Sequence, residues 1–126
     1  MNGPTNEKYV FDTNTVIGFI DKKFLSLPLG ERFISVITEM ELLAFPSITP
    51  EIEGEILNFL NAATIIPLTD EVKHEAIHLR REGIPRPKLP DAIVAASAVV
   101  LDAMLVSADE KLNKLNWPGL KTTSIK

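Results

Sequence analysis

At 126 residues the chain is long enough to bury one hydrophobic core and too short for two ordinary domains. A hydrophobic content of 45% excludes a disordered segment, and the absence of cysteine excludes disulfide scaffolds, zinc ribbons and thiol nucleophiles. The formal net charge of −4 argues against broad phosphate neutralisation, so any nucleic-acid contact is expected to be local or routed through metal ions.

The stretch Met1 to Lys8 has no apolar core, so no signal peptide is expected there. Lys8 to Phe11 reads as a short buried strand, followed by a helix over Thr13 to Phe19 with Asp12 or Thr13 as N-cap. Phe24 to Gly30, with Pro28, reads as a loop. Phe33 to Val36 is a second strand leading into a helix over Thr38 to Phe45. Thr49-Pro50-Glu51 combines a cap, a proline at the first helical position and first-turn acid, and predicts a helix to about Ala62. Thr64 to Pro67 is a third strand, and Thr69 or Asp70 caps a helix ending near Gly83. Ile84-Pro85-Arg86-Pro87-Lys88-Leu89-Pro90 is a proline-stiffened loop. Pro90 to Asp102 reads as helix, Met104 to Val106 as strand, Glu110 to Leu115 as a short helix and Lys121 to Ile125 as a last strand. The longest apolar stretch, Ala92 to Leu101, contains Ser97 and is too short to span a bilayer, so no membrane association is expected. Strands that are continuous apolar runs, alternating with helices, predict a single α/β domain over residues 1–126, a sandwich around a parallel sheet. Sites in such sheets form at the carboxyl ends of the strands.

Four acids sit in apolar sequence at or near those ends. Asp12 follows Tyr9-Val10-Phe11, Glu41 lies in Met40-Glu41-Leu42-Leu43, Asp91 opens Ala92-Ile93-Val94-Ala95-Ala96, and Asp109 follows Leu105-Val106-Ser107-Ala108. Isolated carboxylates in apolar surroundings are costly, and four together repel unless a cation joins them. Each also has a plain structural explanation. Asp12 and Asp109 suit helix caps, Asp91 suits the positive end of a helix dipole, and Thr38-Glu39-Met40-Glu41 fits a capping box. Glu39 lies about 200° round the helix from Glu41 and is expected to be the solvated acid of the two. The set of four carries more than any member, and predicts one cleft holding Mg²⁺ or Mn²⁺.

A second signal competes. His74-Glu75-Ala76-Ile77-His78 matches H-E-x-x-H, the zinc peptidase pattern. Val72, Ala76, Leu79 and Gly83 mark the buried stripe of that helix, which leaves His74, Glu75 and His78 on an expected solvated face, with no third histidine in the chain. The glycines form no phosphate-binding loop. A receiver domain would need an acceptor Asp where Thr64-Ile65-Ile66-Pro67 stands. Arg80, Arg81, Arg86 and Lys88 precede Asp91, either as an exposed helix end or as a lip that steers phosphate, with Arg86 and Lys88 as the phosphate contacts.

The pieces Val10-Phe11-Asp12-Thr13-Asn14, Ile34 to Leu43, Leu89 to Ala98 and Leu105-Val106-Ser107-Ala108-Asp109 together resemble a PIN domain, and within that group the VapC toxin ribonucleases. The family often carries an aromatic shortly after the last acid; here Glu110-Lys111-Leu112 follows. The resemblance covers nearly the whole chain. It implies a three-layer sandwich with a central parallel sheet of order 3-2-1-4-5. It also implies divalent-metal-dependent endoribonuclease activity leaving 5′-phosphate and 3′-hydroxyl ends, a cytoplasmic location, a protein antitoxin and a homodimer. Asp12 and Asp91 would then be the primary ligands of Mg²⁺ or Mn²⁺. Glu41 would bind directly or through water, and Asp109 would complete the site or hold a second ion. Thr13, Asn14 and Ser107 would orient water or the ligands. Two other readings stand beside this one: a zinc metallopeptidase through His74, Glu75 and His78, and a catalytically idle PIN-like binding module. A housekeeping RNA-processing role also remains open beside that of a toxin.

Overall fold

The computed structural model describes residues 7–23 and 26–125. Phe24 and Leu25 of the expected loop lie outside the described residues, as do residues 1–6 of the N-terminal stretch. The elements in chain order are β1 (Lys8–Phe11), α1 (Thr13–Ile20), β2 (Glu31–Ser35), α2 (Val36–Leu43), α3 (Pro50–Asn61), β3 (Thr64–Ile66), α4 (Asp70–Glu82), α5 (Leu89–Leu101), β4 (Met104–Ser107), α6 (Glu110–Asn113) and β5 (Lys121–Ser124).

All four strand pairings are parallel, and the sheet order is β3-β2-β1-β4-β5. The register runs Val10↔Phe33 between β1 and β2, and Phe11↔Val106 between β1 and β4. Because side chains alternate across a strand, adjacent residues feed opposite layers. Val10, Phe33 and Leu105 pack with Val72, Ala76 and Leu79 of α4 and the alanines of α5. Phe11, Ile34 and Val106 pack with Val16, Leu42, Ile56, Phe59 and Leu60 of α1, α2 and α3. This two-sided burial is why β1, β2 and β4 read as unbroken apolar runs. Each such side chain contributes roughly 1.5–3 kcal/mol by leaving water. The chain therefore folds as the expected three-layer sandwich with helices on both faces of the sheet.

The boundaries differ from expectation around β2. The strand starts at Glu31 because Lys8↔Glu31 opens the ladder, although neither residue is apolar. The chain turns helical at Val36, where the Ser35 side chain caps α2 by accepting from the Ile37 N–H at 3.2 Å. Thr38 is thus inside the helix and no capping box joins Thr38 to Glu41. The other caps follow the sequence: Thr49 accepts from Ile52 N–H and Thr69 from Val72 N–H, each at 3.2 Å. On α5, Ala92, Ala95, Ala96, Ser97 and Ala98 are all buried, and these small side chains let the helix lie close to α4 and the sheet.

Candidate active site

The site forms where the sheet order reverses direction, between the carboxyl ends of β1 and β4. Asp12 caps α1 and is 5% exposed. Its Oδ1 accepts from the Thr15 N–H at 3.0 Å and its Oδ2 from the Ser107 hydroxyl at 2.5 Å. Ser107 follows Val106, the partner of Phe11 in the β1–β4 register, so the parallel pairing itself brings hydroxyl and carboxylate together. The Ser107 oxygen also accepts from the Asp109 N–H at 2.9 Å. Asp109 in turn caps α6, its Oδ1 accepting from the Lys111 N–H at 2.9 Å. Asp91 is the third residue of α5, half-buried, and placed there by the Pro90 start of that helix. Glu41 comes from the last turn of α2, and its Oε1 accepts from the Thr13 hydroxyl at 2.6 Å.

Two adjoining cavities record the arrangement. An inner one of about 160 Å³ is lined by Asp12, Thr13, Asn14, Glu41, Asp91, Val94 and Asp109. An outer one of about 370 Å³ shares Asn14, Glu41, Asp91 and Asp109 and adds Arg86, Lys88 and Lys111 among its walls. Four carboxylates thus arrive from four separate elements. Burial pushes the Asp91 carboxyl above its ordinary value, and the charges of Asp109, Asp12 and Glu41 push the same way, while Lys88 opposes them. Exposure alone reverses the expectation for the α2 acids: Glu41 is exposed and Glu39 half-buried, yet Glu41 lines both cavities and Glu39 neither.

Among the described residues, no three His, Asp or Glu side chains are drawn close enough to form a ready-made metal cage. Thr13 holds Glu41, Ser107 and the Thr15 N–H hold Asp12, and the Lys111 N–H holds Asp109, so three of the four acids are positioned by hydrogen bonds. Their donors are hard oxygens, the chemistry Mg²⁺ and Mn²⁺ accept, and Mg²⁺ in particular keeps several of its own waters between itself and carboxylates. The residues therefore fit such an ion.

Three contributors escaped sequence reasoning. Thr15 is fully buried, its hydroxyl donating to the Val106 carbonyl at 3.3 Å and accepting from the Ala108 N–H at 3.2 Å, which ties α1 to the end of β4. Asn113 Nδ2 donates to the Ser107 carbonyl at 2.9 Å. Lys111 joins the pocket wall. The one available signal was position: Thr15 stands three residues after a cap, and Lys111 two after another.

The H-E-x-x-H segment lies elsewhere, on α4. Val72, Ala76 and Leu79 form its buried stripe as expected, with Gly83 also buried. His74 and His78 are exposed as expected, and the correction falls on Glu75, which is half-buried and accepts from the Trp117 indole N–H at 2.6 Å, while the His78 ring meets Trp117 edge-on with centroids 5.5 Å apart. The glutamate that would activate water is committed to an indole. Arg80 and Arg81 gather with Glu82 and Arg86 around a separate cavity, and of these four only Arg86 also lines the acid pocket.

A parallel α/β sandwich with an acid-lined pocket at its topological switch point belongs to the broad class of α/β folds that bind ligands at the carboxyl edge of the sheet. The PIN domain family matches residues 9–118, and the chain belongs to that family, one of nucleases. The fold is similar to VapBC2 from Rickettsia felis bound to a promoter DNA fragment, with TM-score 0.77, 19% identity, and 95% of this chain and 100% of that chain covered. It is also similar to DNA-bound VapBC from Salmonella typhimurium, with TM-score 0.75, 21% identity and coverages of 94% and 98%. A toxin–antitoxin complex from Klebsiella pneumoniae gives TM-score 0.70, 25% identity and coverages of 89% and 94%. No curated protein matches the chain. No described helix is long and apolar enough to cross a membrane.

Proposed function

We propose that the chain is a divalent-metal-dependent endoribonuclease, a single PIN-like unit over residues 1–126 that serves as the toxin of a toxin–antitoxin pair. The observation that carries this reading is the convergence of Asp12, Glu41, Asp91 and Asp109 on one pocket, where burial and then the charges of Asp109, Asp12 and Glu41 raise the pKa of Asp91. Like charges gathered in one pocket favour a cation bound among them. Asp12, Asp91, Glu41 and Asp109 would hold Mg²⁺ or Mn²⁺, which when bound supplies charge neutralisation and water activation at a phosphodiester. The chain's own residues do the positioning. Ser107 and the Thr15 N–H fix both oxygens of Asp12, Thr13 aims Glu41, and exposed Asn14 offers an amide to water or a phosphate oxygen.

The toxin role draws on the fold shared with VapBC complexes. A protein antitoxin would place apolar side chains on the surface and a cation at the acid pocket, and a cytoplasmic homodimer belongs to the same reading. The test is cleavage of RNA by purified protein with and without Mn²⁺. Wild type is expected to cleave only with the ion, and Asp12→Asn to lose at least about a hundredfold in rate with an unchanged circular dichroism spectrum. Equal cleavage by both proteins would place the activity outside this pocket. Co-expression with the product of the adjacent small gene is expected to suppress cleavage and yield a co-purifying complex.

A further inference from the structure

The acid pocket makes no use of the H-E-x-x-H segment of α4, and neither His74 nor His78 lines either of its cavities. Both imidazoles are exposed. The two ion pairs of the described residues, Lys73–Asp70 and Lys121–Asp102, involve neither of them. Residues four apart on a helix lie one above the other, with Cβ atoms roughly 5–6 Å apart. Two imidazoles at that spacing close on one ion whose bonds to nitrogen are about 2.0–2.1 Å long. His78 is already placed by its edge-on contact with Trp117, so the binding of an ion orders chiefly His74. Glu75 cannot join them while its carboxylate accepts from the Trp117 indole N–H. Glu71 stands three residues before His74 and Glu82 four after His78, so acids flank the pair along one stripe of α4, with Arg81 as the opposing charge. Among the described residues no third His, Asp or Glu completes a cage with the two histidines.

We propose that His74 and His78 form a two-imidazole chelate for a transition-metal ion of the Zn²⁺, Ni²⁺ or Cu²⁺ class, with water filling the other positions, separate from the acid pocket. Imidazole nitrogen suits these ions, whereas carboxylate oxygen suits Mg²⁺ and Mn²⁺. The chain therefore sorts two classes of divalent ion between two places, α4 and the carboxyl edge of the sheet. The ion on α4 has no hydrolytic role, because the glutamate that a zinc peptidase would use on a metal-bound water is engaged by the indole. What the ion supplies is a cross-link over one turn of α4, beside the Trp117 contact that fastens the segment after α6 to this helix. The inference needs only the geometry of α4 and stands whether or not the chain cleaves RNA.

The test follows the fluorescence of Trp117, the only tryptophan of the chain, whose ring lies against His78 and so within quenching range of an ion bound there. Full-length wild type, His74→Ala and Asp12→Asn are titrated with Ni²⁺ or Cu²⁺ in the presence of excess Mg²⁺, and their melting temperatures are read with and without Zn²⁺. Wild type and Asp12→Asn are expected to be quenched alike, and Zn²⁺ is expected to raise the melting temperature of both. His74→Ala keeps the contact between His78 and Trp117 and is expected to weaken binding about a hundredfold, because the second imidazole of a chelate acts at a high effective concentration. Adding Glu82→His to His74→Ala rebuilds the one-turn spacing with His78 and is expected to restore quenching. Absence of quenching in wild type, equal affinity in wild type and His74→Ala, or no recovery on adding Glu82→His would overturn the chelate. Quenching lost in Asp12→Asn would overturn it as well, by assigning the ion to the acid pocket.

Discussion

Asp91 shows how a single carboxyl links site and stability. Burial, then Asp109, Asp12 and Glu41, raise its folded-state pKa above the ordinary 3.8. The folded state therefore binds more protons than the unfolded state as pH rises through the window above 3.8, and stability falls across that window. The cost is absent below 3.8 and complete once the folded carboxyl has ionised. Asp91→Asn removes it, and the metal-free variant is expected to melt about 1–3 °C above wild type at neutral pH, with the difference vanishing in acid. Calorimetry across the acid range checks this; a lower melting point at neutral pH would mean that the carboxylate makes net favourable bonds. Thr15 predicts the opposite sign. Thr15→Val keeps the shape of a fully buried side chain and removes its bonds to Val106 and Ala108. Urea denaturation is expected to show a loss of about 1–2 kcal/mol. Cleavage is expected to fall with it, because the lost bonds tie α1, whose first turn holds Asp12, to the end of β4.

Among the elements, α4 illustrates how a motif can match in letters and differ in use. Its H-E-x-x-H spacing puts His74 and His78 one turn apart, as a zinc site needs. The tertiary neighbour is Trp117, which takes Glu75 as acceptor and packs against His78. This trio fastens the segment after α6 onto α4. His74→Ala together with His78→Ala is expected to leave Mn²⁺-dependent cleavage within about twofold of wild type and to cost about 0.5–1.5 kcal/mol through the lost ring contact. Loss of activity accompanied by loss of bound zinc would return the peptidase reading. The contrast with α5 is instructive. Its apolar residues have no clear single face, yet its burial between sheet and α4 sets Asp91 at the pocket as firmly as any cap.

For the molecule as a whole, the acid pocket predicts a linkage between ions and folding. An ion that binds the folded chain and not the unfolded one stabilises it in proportion to the logarithm of its concentration, about 2.7 kcal/mol at a hundredfold excess over Kd. Mn²⁺ is expected to raise the melting temperature of wild type progressively and that of Asp12→Asn hardly at all. A thermal shift equal in the two proteins would point to ions binding elsewhere on this acidic chain.

Local chemistry made much of the fold legible in advance. Thr49-Pro50 announces α3, the unbroken runs at Val10-Phe11 and Leu105-Val106 announce strands buried on both faces, and the stripe of α4 marks its core side, because caps, proline and periodicity act within a few residues. The order of the strands followed from family resemblance, since period and composition are the same for any order of equally buried strands. Asp12, Glu41, Asp91 and Asp109 stood out as acids beside apolar runs, whereas the exposure of Glu41 and the partial burial of Glu39 did not follow from their spacing, because spacing fixes the angle between two side chains and not which of them meets a tertiary neighbour. What the local chain cannot encode is who meets whom across it. Thr15 touches Val106 across 91 residues, Ser107 reaches Asp12 across 95, and Trp117 takes Glu75 across 42. Those meetings are products of parallel crossovers and register, so the gathering of acids and cations at one pocket belongs to the tertiary structure alone.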